Sequence, residues 1–120
     1  MILVDTSVWV EHLRSGNATL ASELEAGRVL AHPFVIGELA CGTLRNRREV
    51  LELLGRLPSA PAATQAEALD FLERRALVGR GIGFVDVHLL ASAALAAPAR
   101  LWTRDRRLAA VATDLDLAWE

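Results

Sequence analysis

The chain contains no lysine, because all 13 of its basic residues are arginine. This absence excludes several enzyme classes that rely on an aspartate at a strand end. A receiver domain needs a lysine near its phosphoacceptor aspartate. A haloacid-dehalogenase-like phosphatase usually needs one too, together with a D-x-D motif where this chain has Asp5-Thr6-Ser7. A P-loop NTPase requires G-K-[ST], which cannot occur without lysine. None of these three classes fits the sequence.

Cysteine and long apolar runs are also scarce. The single Cys41 excludes an intrachain disulfide, and no Cys or His cluster has zinc-ligand spacing. Its apolar surroundings predict that Cys41 is a small buried side chain. The longest apolar runs, 34–42 and 89–98, are shorter than the roughly 20 residues that cross a bilayer. Asp5 and Glu11 interrupt what would have to be a signal sequence, so we expect a cytosolic protein.

Length and charge indicate the number of domains and the kinds of partner that the protein can bind. With 120 residues and 13.0 kDa, the chain is expected to form a single domain over residues 1–120. A net charge of −2 argues against a non-specific nucleic-acid binder that relies on overall positive charge. The hydrophobic content of 52% is high for a soluble protein, so apolar surface is expected to remain for a partner.

Apolar periodicity and turn residues predict strands that alternate with helices. The predicted strands are Ile2 to Val4, Val29 to Ala31, Leu57 to Ala60, Leu101 to Thr103 and Leu117 to Trp119. The predicted helices cover 7–13, 19–26, 34–42, 48–54, 65–77, 86–97 and 105–112. Such alternation predicts an α/β fold in which a mostly parallel sheet is covered by helices on both faces. Ligands bind such sheets beyond the carboxyl ends of the strands.

Two segments place a carboxylate just beyond a predicted strand. In LVDTS, Asp5 follows the first strand, and in LWTRDRRL, Asp105 lies two residues past Thr103. Both are therefore expected at the carboxyl edge of the sheet. Each also has an ordinary explanation in helix-end chemistry. Asp5 can cap a helix N-terminus by accepting backbone N–H groups, an effect of about 0.5–2 kcal/mol. Asp105 can complement the helix dipole from a first turn, an effect of about 0.3–1 kcal/mol. From the sequence, both explanations stay open.

Glu38 and Asp86 are harder to explain by capping alone. Glu38 is the one ionisable side chain in PFVIGELACG, and Asp86 lies at the start of a helix that is apolar on nearly every face. An unpaired carboxylate is costly to bury, so each needs a partner or a water-filled cleft. For Asp86, an N-cap role also remains open.

Four acids that converge would need a counter-charge. Two carboxylates about 4 Å apart repel by roughly 4 kcal/mol at an effective dielectric of about 20, so four require protons, arginines or a multivalent cation. Oxygen ligands favour Mg²⁺ or Mn²⁺. Thr6, Ser7 and Thr103 are available to orient the carboxylates. The predicted metal-binding and catalytic residues are Asp5, Glu38, Asp86 and Asp105.

Four segments between residues 2 and 108 also resemble a known family. They are ILVDTSVWVEHL, FVIGELACG, GIGFVDVHLLASA and LWTRDRRL, in this order. Together they resemble the PIN-domain family and, within it, the VapC-type toxins of bacterial toxin–antitoxin pairs. The metal-binding acids of that family correspond to the four acids selected above.

The resemblance implies both a fold and an activity. The implied fold is a three-layer α/β/α PIN domain with a five-stranded parallel sheet. The implied activity is Mg²⁺-dependent endoribonuclease cleavage of single-stranded or loop RNA, with a 5′-phosphate on one product and a 3′-hydroxyl on the other. Asp5, Asp86 and Asp105 would be ligands, and Glu38 would be either a ligand or a base that orients the attacking water. A VapB-type antitoxin is the implied inhibitor, and a homodimer is the implied assembly.

Arginines near these motifs are candidates for RNA phosphate contacts. Arg45, Arg47, Arg48 and Arg104 are the candidates. Their alternative is a solvated surface with ion pairs such as Arg45 to Glu49 or Arg48 to Glu52. The surface explanation is favoured for Arg74 and Arg75.

The remaining aromatic and histidine side chains are expected to have packing roles. His88 is interpreted as a packing or interface residue, and Trp9, Trp102 and Trp119 as core or interface aromatics. Two other functions stay open from the sequence: a non-catalytic PIN-like module that only binds a partner, and a metal-dependent DNA nuclease. The sequence does not identify the RNA that is cut.

Overall fold

Three short parallel strands form the centre of the structure, a computed structural model that describes residues 1–120. β1 (Ile2–Val4) lies between β2 (Val29–Leu30) and β3 (Arg100–Trp102). Ile2 pairs with Val29 on one side and with Arg100 on the other. The helices are α1 (Thr6–Ser15), α2 (Ala18–Glu25), α3 (Pro33–Cys41), α4 (Arg47–Arg56), α5 (Gln65–Arg74), α6 (Phe84–Leu95) and α7 (Arg106–Asp114).

The central strand is buried on both faces. Successive strand residues point to opposite faces of a sheet, yet Ile2, Leu3 and Val4 are all at most 3% exposed. The rest of the chain therefore covers both sides of β1. All three strands contribute to one hydrophobic core of 28 buried residues. This arrangement confirms the predicted α/β class with a parallel sheet.

The prediction of five strands is wrong. The segments predicted as the third and fifth strands each form one parallel bridge, between Ala31 and Ser59 and between Leu101 and Ala118. Ser59 follows Pro58, which has no N–H to donate to a ladder. The other segment begins directly after Asp116, whose left-handed φ of 57° is incompatible with a regular strand. The sheet therefore has three strands with a single bridge at each edge.

All seven predicted helices are present, with small shifts at their ends. α5 ends at Arg74, three residues before the predicted Leu77, because Ala76 has a left-handed φ of 55°. α6 begins at Phe84, two residues before the predicted Asp86, since Gly83 is its N-cap. No helix in this chain is both long enough and apolar enough to span a membrane.

Cys41 corrects another expectation, because its side chain is exposed. Val35 and Leu39 are the buried residues of α3. Successive residues of an α-helix are rotated by about 100°, so Cys41 lies nearly opposite Leu39. The apolar composition of the segment hid which face of the helix is turned to the core.

Parallel strands bring three chain segments to the same edge of the sheet. Asp5 follows β1, and Thr103 follows β3. The C-terminal end of α6 leads through residues 96–99 to the amino end of β3. The first turn of α6, with Asp86, therefore lies toward the carboxyl ends of the strands. The topology directs these three segments toward one another.

Candidate metal centre

Asp5 is the most enclosed of the four predicted acids, with 7% of its surface exposed. Its backbone N–H donates to the carbonyl of Trp102, which continues the pairing of β1 with β3 by one residue. The side chain is also the N-cap of α1, because Oδ1 accepts the N–H of Thr6 at 2.8 Å. The capping explanation is therefore correct for one oxygen of Asp5.

The second oxygen of Asp5 accepts two hydroxyl groups. Ser7 Oγ donates to Oδ2 at 2.8 Å, and Thr103 Oγ1 donates at 2.7 Å. Ser7 Oγ also accepts the N–H of Arg104 at 2.9 Å, and Thr103 Oγ1 accepts the N–H of Asp105 at 3.0 Å. These bonds join the end of β1 to the segment after β3 and hold Asp5 in one orientation.

Thr6 connects Asp5 to Glu38. While the N–H of Thr6 bonds Asp5, its Oγ1 donates to Glu38 Oε1 at 2.6 Å. Glu38 is exposed on the surface of α3, so its charge is solvated and also partnered. We call the four carboxylates of Asp5, Glu38, Asp86 and Asp105 the acid group. Thr6, Ser7 and Thr103 each donate a hydroxyl hydrogen bond to one of its members.

Asp86 and Asp105 each use one oxygen at a helix start. Asp105 is the N-cap of α7, where Oδ1 accepts the N–H groups of Arg107 at 2.9 Å and Leu108 at 3.1 Å. Asp86 lies in the first turn of α6, and its Oδ2 accepts the N–H of Gly83 at 3.1 Å. Asp86 Oδ1 and Asp105 Oδ2 accept no hydrogen bond from the protein. Contacts at the helix starts therefore account for one of the two oxygens of each carboxylate.

The carboxylates interact through their charges. Burial raises the pKa of Asp86 above its ordinary value, and the hydrogen bond from Gly83 partly opposes this rise. The nearby charges of Asp5, Asp105 and Glu38 raise the same pKa further. No cation acts on it. The acid group is therefore a concentration of negative charge without internal compensation.

The donor set has the chemistry of a site for a hard divalent cation. Every candidate ligand atom is a carboxylate oxygen, and Glu38 Oε2 is free of protein hydrogen bonds, like one oxygen each of Asp86 and Asp105. No three Asp, Glu, His or Cys side chains are grouped closely enough to hold a metal ion directly. Mg²⁺ retains several of its waters in proteins, so carboxylates that hold it partly through water fit this arrangement.

The four arginines predicted to contact RNA have different surroundings. Arg104 pairs with Glu11 at 2.9 Å, and Arg47 donates to the carbonyl of Ala40 at 2.6 Å. Arg48 lies on the exposed side of α4. Arg45 lines a groove of about 700 Å³ that also includes Glu38. Of the four, only Arg45 lies beside the acid group without a protein partner for its guanidinium.

The surface alternatives are resolved residue by residue. The predicted pairs of Arg45 with Glu49 and of Arg48 with Glu52 do not form, because the five ion pairs of the structure involve other residues. Arg74 does pair on the surface, with Asp70 at 2.7 Å. The guanidinium of Arg75 lies 5.1 Å from the ring centre of Phe71. The surface explanation is confirmed for Arg74 and Arg75.

The packing predictions for the aromatic residues and His88 are confirmed. Trp9 and Trp102 are buried, and Trp102 lies 4.4 Å from Trp119 between ring centres. His88 is 4% exposed and contacts Phe34 and Phe84 edge to face.

Two further arginines near the acid group lie outside the four selected candidates. Arg14 of α1 lines the groove with Arg45, and Arg107 of α7 packs against Gly81. The helical spacing of Arg14 from Val10, four residues earlier, places both on one face of α1. That spacing was a usable signal for Arg14, whereas the contact of Arg107 with a loop 26 residues earlier had no local signal.

The comparison with family models identifies the chain as a PIN domain. The chain belongs to this family, because the family model described as PIN domain matches residues 2–114. Its relatives include Ribonuclease VapC32 from Mycobacterium tuberculosis, in strains CDC 1551 / Oshkosh and ATCC 25618 / H37Rv. Each is 50% identical to this chain over 118 residues, which cover 98% of this chain and 95% of the relative. The resemblance to the VapC type is confirmed.

A solved structure shares the fold. The crystal structure of FitAcB from Neisseria gonorrhoeae aligns with a TM-score of 0.64 at 23% identity. The alignment covers 98% of this chain and 95% of that chain. At this level of identity, the likeness concerns the architecture alone.

Proposed function

We propose that this protein is a divalent-metal-dependent endoribonuclease toxin of the VapC type, with Mg²⁺ as its ion. One observation carries the proposal. The charges of Asp5, Asp105 and Glu38 lie close enough to Asp86 to raise its pKa, at the edge where the strand ends meet. The identity of 50% to a ribonuclease over nearly the whole chain supports RNA as the substrate.

Each acid has a proposed part in the reaction. A divalent ion bound to the acid group would polarise the scissile phosphate and lower the pKa of a water molecule. Asp5, Asp86 and Asp105 would hold the ion through their oxygens, and Glu38 would either bind it or orient the attacking water. Ser7 and Thr103 keep Asp5 in place while charge builds on the phosphate. The products carry a 5′-phosphate and a 3′-hydroxyl group.

The groove beside Glu38 would bind the RNA strand. Its lining combines Val10 and Leu13 of α1 with Leu44 and two unpaired arginines, Arg14 and Arg45. Guanidinium groups contact phosphates through paired hydrogen bonds. The apolar side chains of the groove can contact an unstacked base. Single-stranded or loop RNA fits this groove better than a duplex, because its bases can turn outward.

An antitoxin of the VapB type is the proposed inhibitor. Trp9 of α1 is buried and is therefore not its docking residue. Val10 is 39% exposed at the mouth of the same groove. An antitoxin segment with apolar side chains would cover Val10 and exclude RNA from Glu38. Inhibition would then follow from occupation of a shared groove.

A homodimer is the proposed assembly, with Phe34 and Phe84 at its contact. These two rings are each 42% exposed, and both contact the buried His88 between α3 and α6. Sedimentation velocity of the purified chain and of Phe34→Glu tests this contact. A dimeric wild type and a monomeric variant are expected. A monomeric wild type, or a variant that remains dimeric, would contradict it.

A cleavage assay tests the catalytic proposal. Purified protein is incubated with single-stranded and structured RNAs in Mg²⁺ or in EDTA, and with DNA of the same sequences. We expect cut RNA in Mg²⁺ alone, intact DNA, and no cleavage by Asp86→Asn. Cleavage that persists in EDTA or in this variant would reject the mechanism, and cleavage of the DNA would reject the substrate.

Co-expression tests the antitoxin separately. The product of the neighbouring small open reading frame should co-purify with the toxin and suppress cleavage. Val10→Glu should weaken the complex, whereas the matched change Val78→Glu, at another exposed valine, should leave it intact. An antitoxin that binds both variants equally would not use this groove.

A further inference from the structure

Arg107, at the start of α7, lies across the backbone of a glycine loop. The loop, residues 79–83, precedes α6, and Gly81 within it has a φ of +80°. A Cβ on Gly81 would lie 2.9 Å from Cδ of Arg107, 3.1 Å from Nη1 and 3.3 Å from Nε. Non-bonded carbon atoms pack at about 3.5–4.0 Å. The stem of Arg107 therefore fills the space that a side chain at position 81 would need.

The guanidinium group of Arg107 lies against Gly81 and is unpaired. It donates no hydrogen bond and belongs to none of the five ion pairs. Arg80 of the same loop differs, because it pairs with Asp114 at 2.7 Å and so ties the loop to α7. The N–H groups of Gly81 and Ile82 also have no acceptor in the protein. The loop and Arg107 thus present several hydrogen-bond donors that no protein group accepts.

This cluster of donors borders two members of the acid group. The N–H of Arg107 bonds Asp105, and Gly81 is two residues from Gly83, whose N–H bonds Asp86. Two residues span at most about 7 Å of chain. The cluster therefore lies at the Asp86 and Asp105 side of the acid group, whereas the groove with Arg45 adjoins Glu38.

We propose that Arg107 and the free N–H groups of Gly81 and Ile82 bind an RNA phosphate that neighbours the cleaved one. The proposal rests on the ribonuclease function proposed above. A guanidinium binds phosphate with two parallel hydrogen bonds. The absence of a side chain at Gly81 leaves the space that the Arg107 stem occupies against the loop. The strand would cross the acid group with one cation on each side, Arg45 and Arg107.

RNA binding in EDTA tests the proposal without cleavage. The probe is a short fluorescein-labelled single-stranded RNA of mixed sequence, and anisotropy gives Kd across a salt series. We expect Arg107→Gln to raise Kd about tenfold and to reduce the slope of log Kd against log salt by about 0.7.

Arg56→Gln is the matched control for that measurement. Arg56 is exposed, forms no ion pair and precedes the segment in which Ser59 pairs with Ala31. It therefore lies toward the amino ends of the strands, away from the acid group. If Arg107→Gln and Arg56→Gln give the same Kd and the same slope, the proposal is wrong.

Kinetics separate phosphate contact from mere support of the loop. In Mg²⁺, a lost phosphate contact should raise KM about tenfold and leave kcat within about twofold, with Tm unchanged. Arg107→Lys should recover part of the loss, because it keeps the charge but not the planar fork. A lower kcat and Tm with an unchanged KM and salt slope would assign Arg107 a structural role and overturn the proposal. If the wild type cuts no RNA, the ribonuclease function fails, and the binding comparison still decides the role of Arg107.

Discussion

Nine of the 15 acids of this protein form two groups that differ in their partners. Five acids each contact an arginine within 3.2 Å: Glu11, Glu23, Asp70, Asp114 and Asp116. The four members of the acid group contact hydroxyl and backbone N–H groups instead. The chain has 13 arginines, so a shortage of cations does not explain the difference.

Arg104 shows the difference within a few residues. It lies in sequence directly before Asp105, yet its guanidinium turns to Glu11 of α1. The pKa of Glu11 is lowered, first by a hydrogen bond from Asn17 and then by Arg104. The pKa of Asp86 is raised instead. An arginine near the acid group is thus already occupied by another acid, and the acid group keeps the charge that attracts a divalent cation.

The largest predicted effect on the cleavage rate comes from replacing one member of the acid group, with a replaced arginine-paired acid as the control. Asp5→Asn should lower the rate of RNA cleavage by about 10³-fold or more, because it removes a charge from the proposed ligand set. Asp70→Asn, at the pair with Arg74, should leave the rate unchanged. Gel-based cleavage assays in Mg²⁺ measure both. Equal rates for the two variants would remove the functional distinction between the groups.

A smaller loss of activity is expected when a hydroxyl group that orients Asp5 is removed. Thr103→Val keeps the shape but deletes the donor to Asp5 Oδ2, and outer partners of metal ligands contribute about 10- to 100-fold. Thr113→Val, at an exposed position of α7, is the control. Titration of Mg²⁺ in the cleavage assay should show a higher requirement for the first variant alone. An unchanged requirement would mean that Asp5 is oriented without Thr103.

Asp86→Asn should stabilise the protein while it abolishes cleavage. The raised pKa means that the folded state binds the proton more tightly than the unfolded state does. The stability linked to that proton is therefore complete below the ordinary pKa of 3.8 and is lost as pH rises through the raised value. The neutral amide avoids this loss.

Thermal unfolding in EDTA across the pH range measures the effect. At neutral pH the Asp86→Asn variant should unfold a few degrees above the wild type, and the two should converge near about pH 3. Asp70→Asn serves again as the control, and its unfolding temperature should not rise above that of the wild type at neutral pH. A variant that unfolds below the wild type at neutral pH would show that Asp86 stabilises the fold in the absence of metal.

The smallest effect is expected where acid and arginine are paired on the surface. Arg74→Gln breaks the contact with Asp70, in which the two side chains are 70% and 60% exposed. Exposed helical pairs of this spacing contribute about 0.3–0.5 kcal/mol. Urea denaturation at low and at high salt measures the change, which should shrink as salt screens the pair. A loss above about 1 kcal/mol would exceed the range for exposed pairs.

Much of the candidate site could be predicted from the sequence because its signals are local. Asp5 and Asp105 were found from their positions after strands, and both are N-caps as well. The two explanations are compatible, since a carboxylate has two oxygens with separate partners. The hydroxyl groups of Thr6, Ser7 and Thr103 bond Glu38 or Asp5, and their role in orienting the carboxylates stays a prediction.

The failures share a different cause. Neither the pairing of Arg104 with Glu11 nor the occupation of Arg47 by a helix carbonyl is visible in a local pattern. Cys41 was misjudged because a helix apolar on most sides does not show which side faces the core. The outer strands were reduced to single bridges where a proline or a left-handed residue adjoins the pairing residue.

By itself, the sequence determined the alternation of strands and helices, the acids at their ends and the family to which the chain belongs. These features depend on neighbours within a few residues, through periodicity, capping and turn chemistry. Only the tertiary structure decided which acids have cations and which arginines are free near the acid group. Ion pairing depends on distances between residues far apart in the chain, such as the 93 positions between Glu11 and Arg104, and folding alone sets those distances.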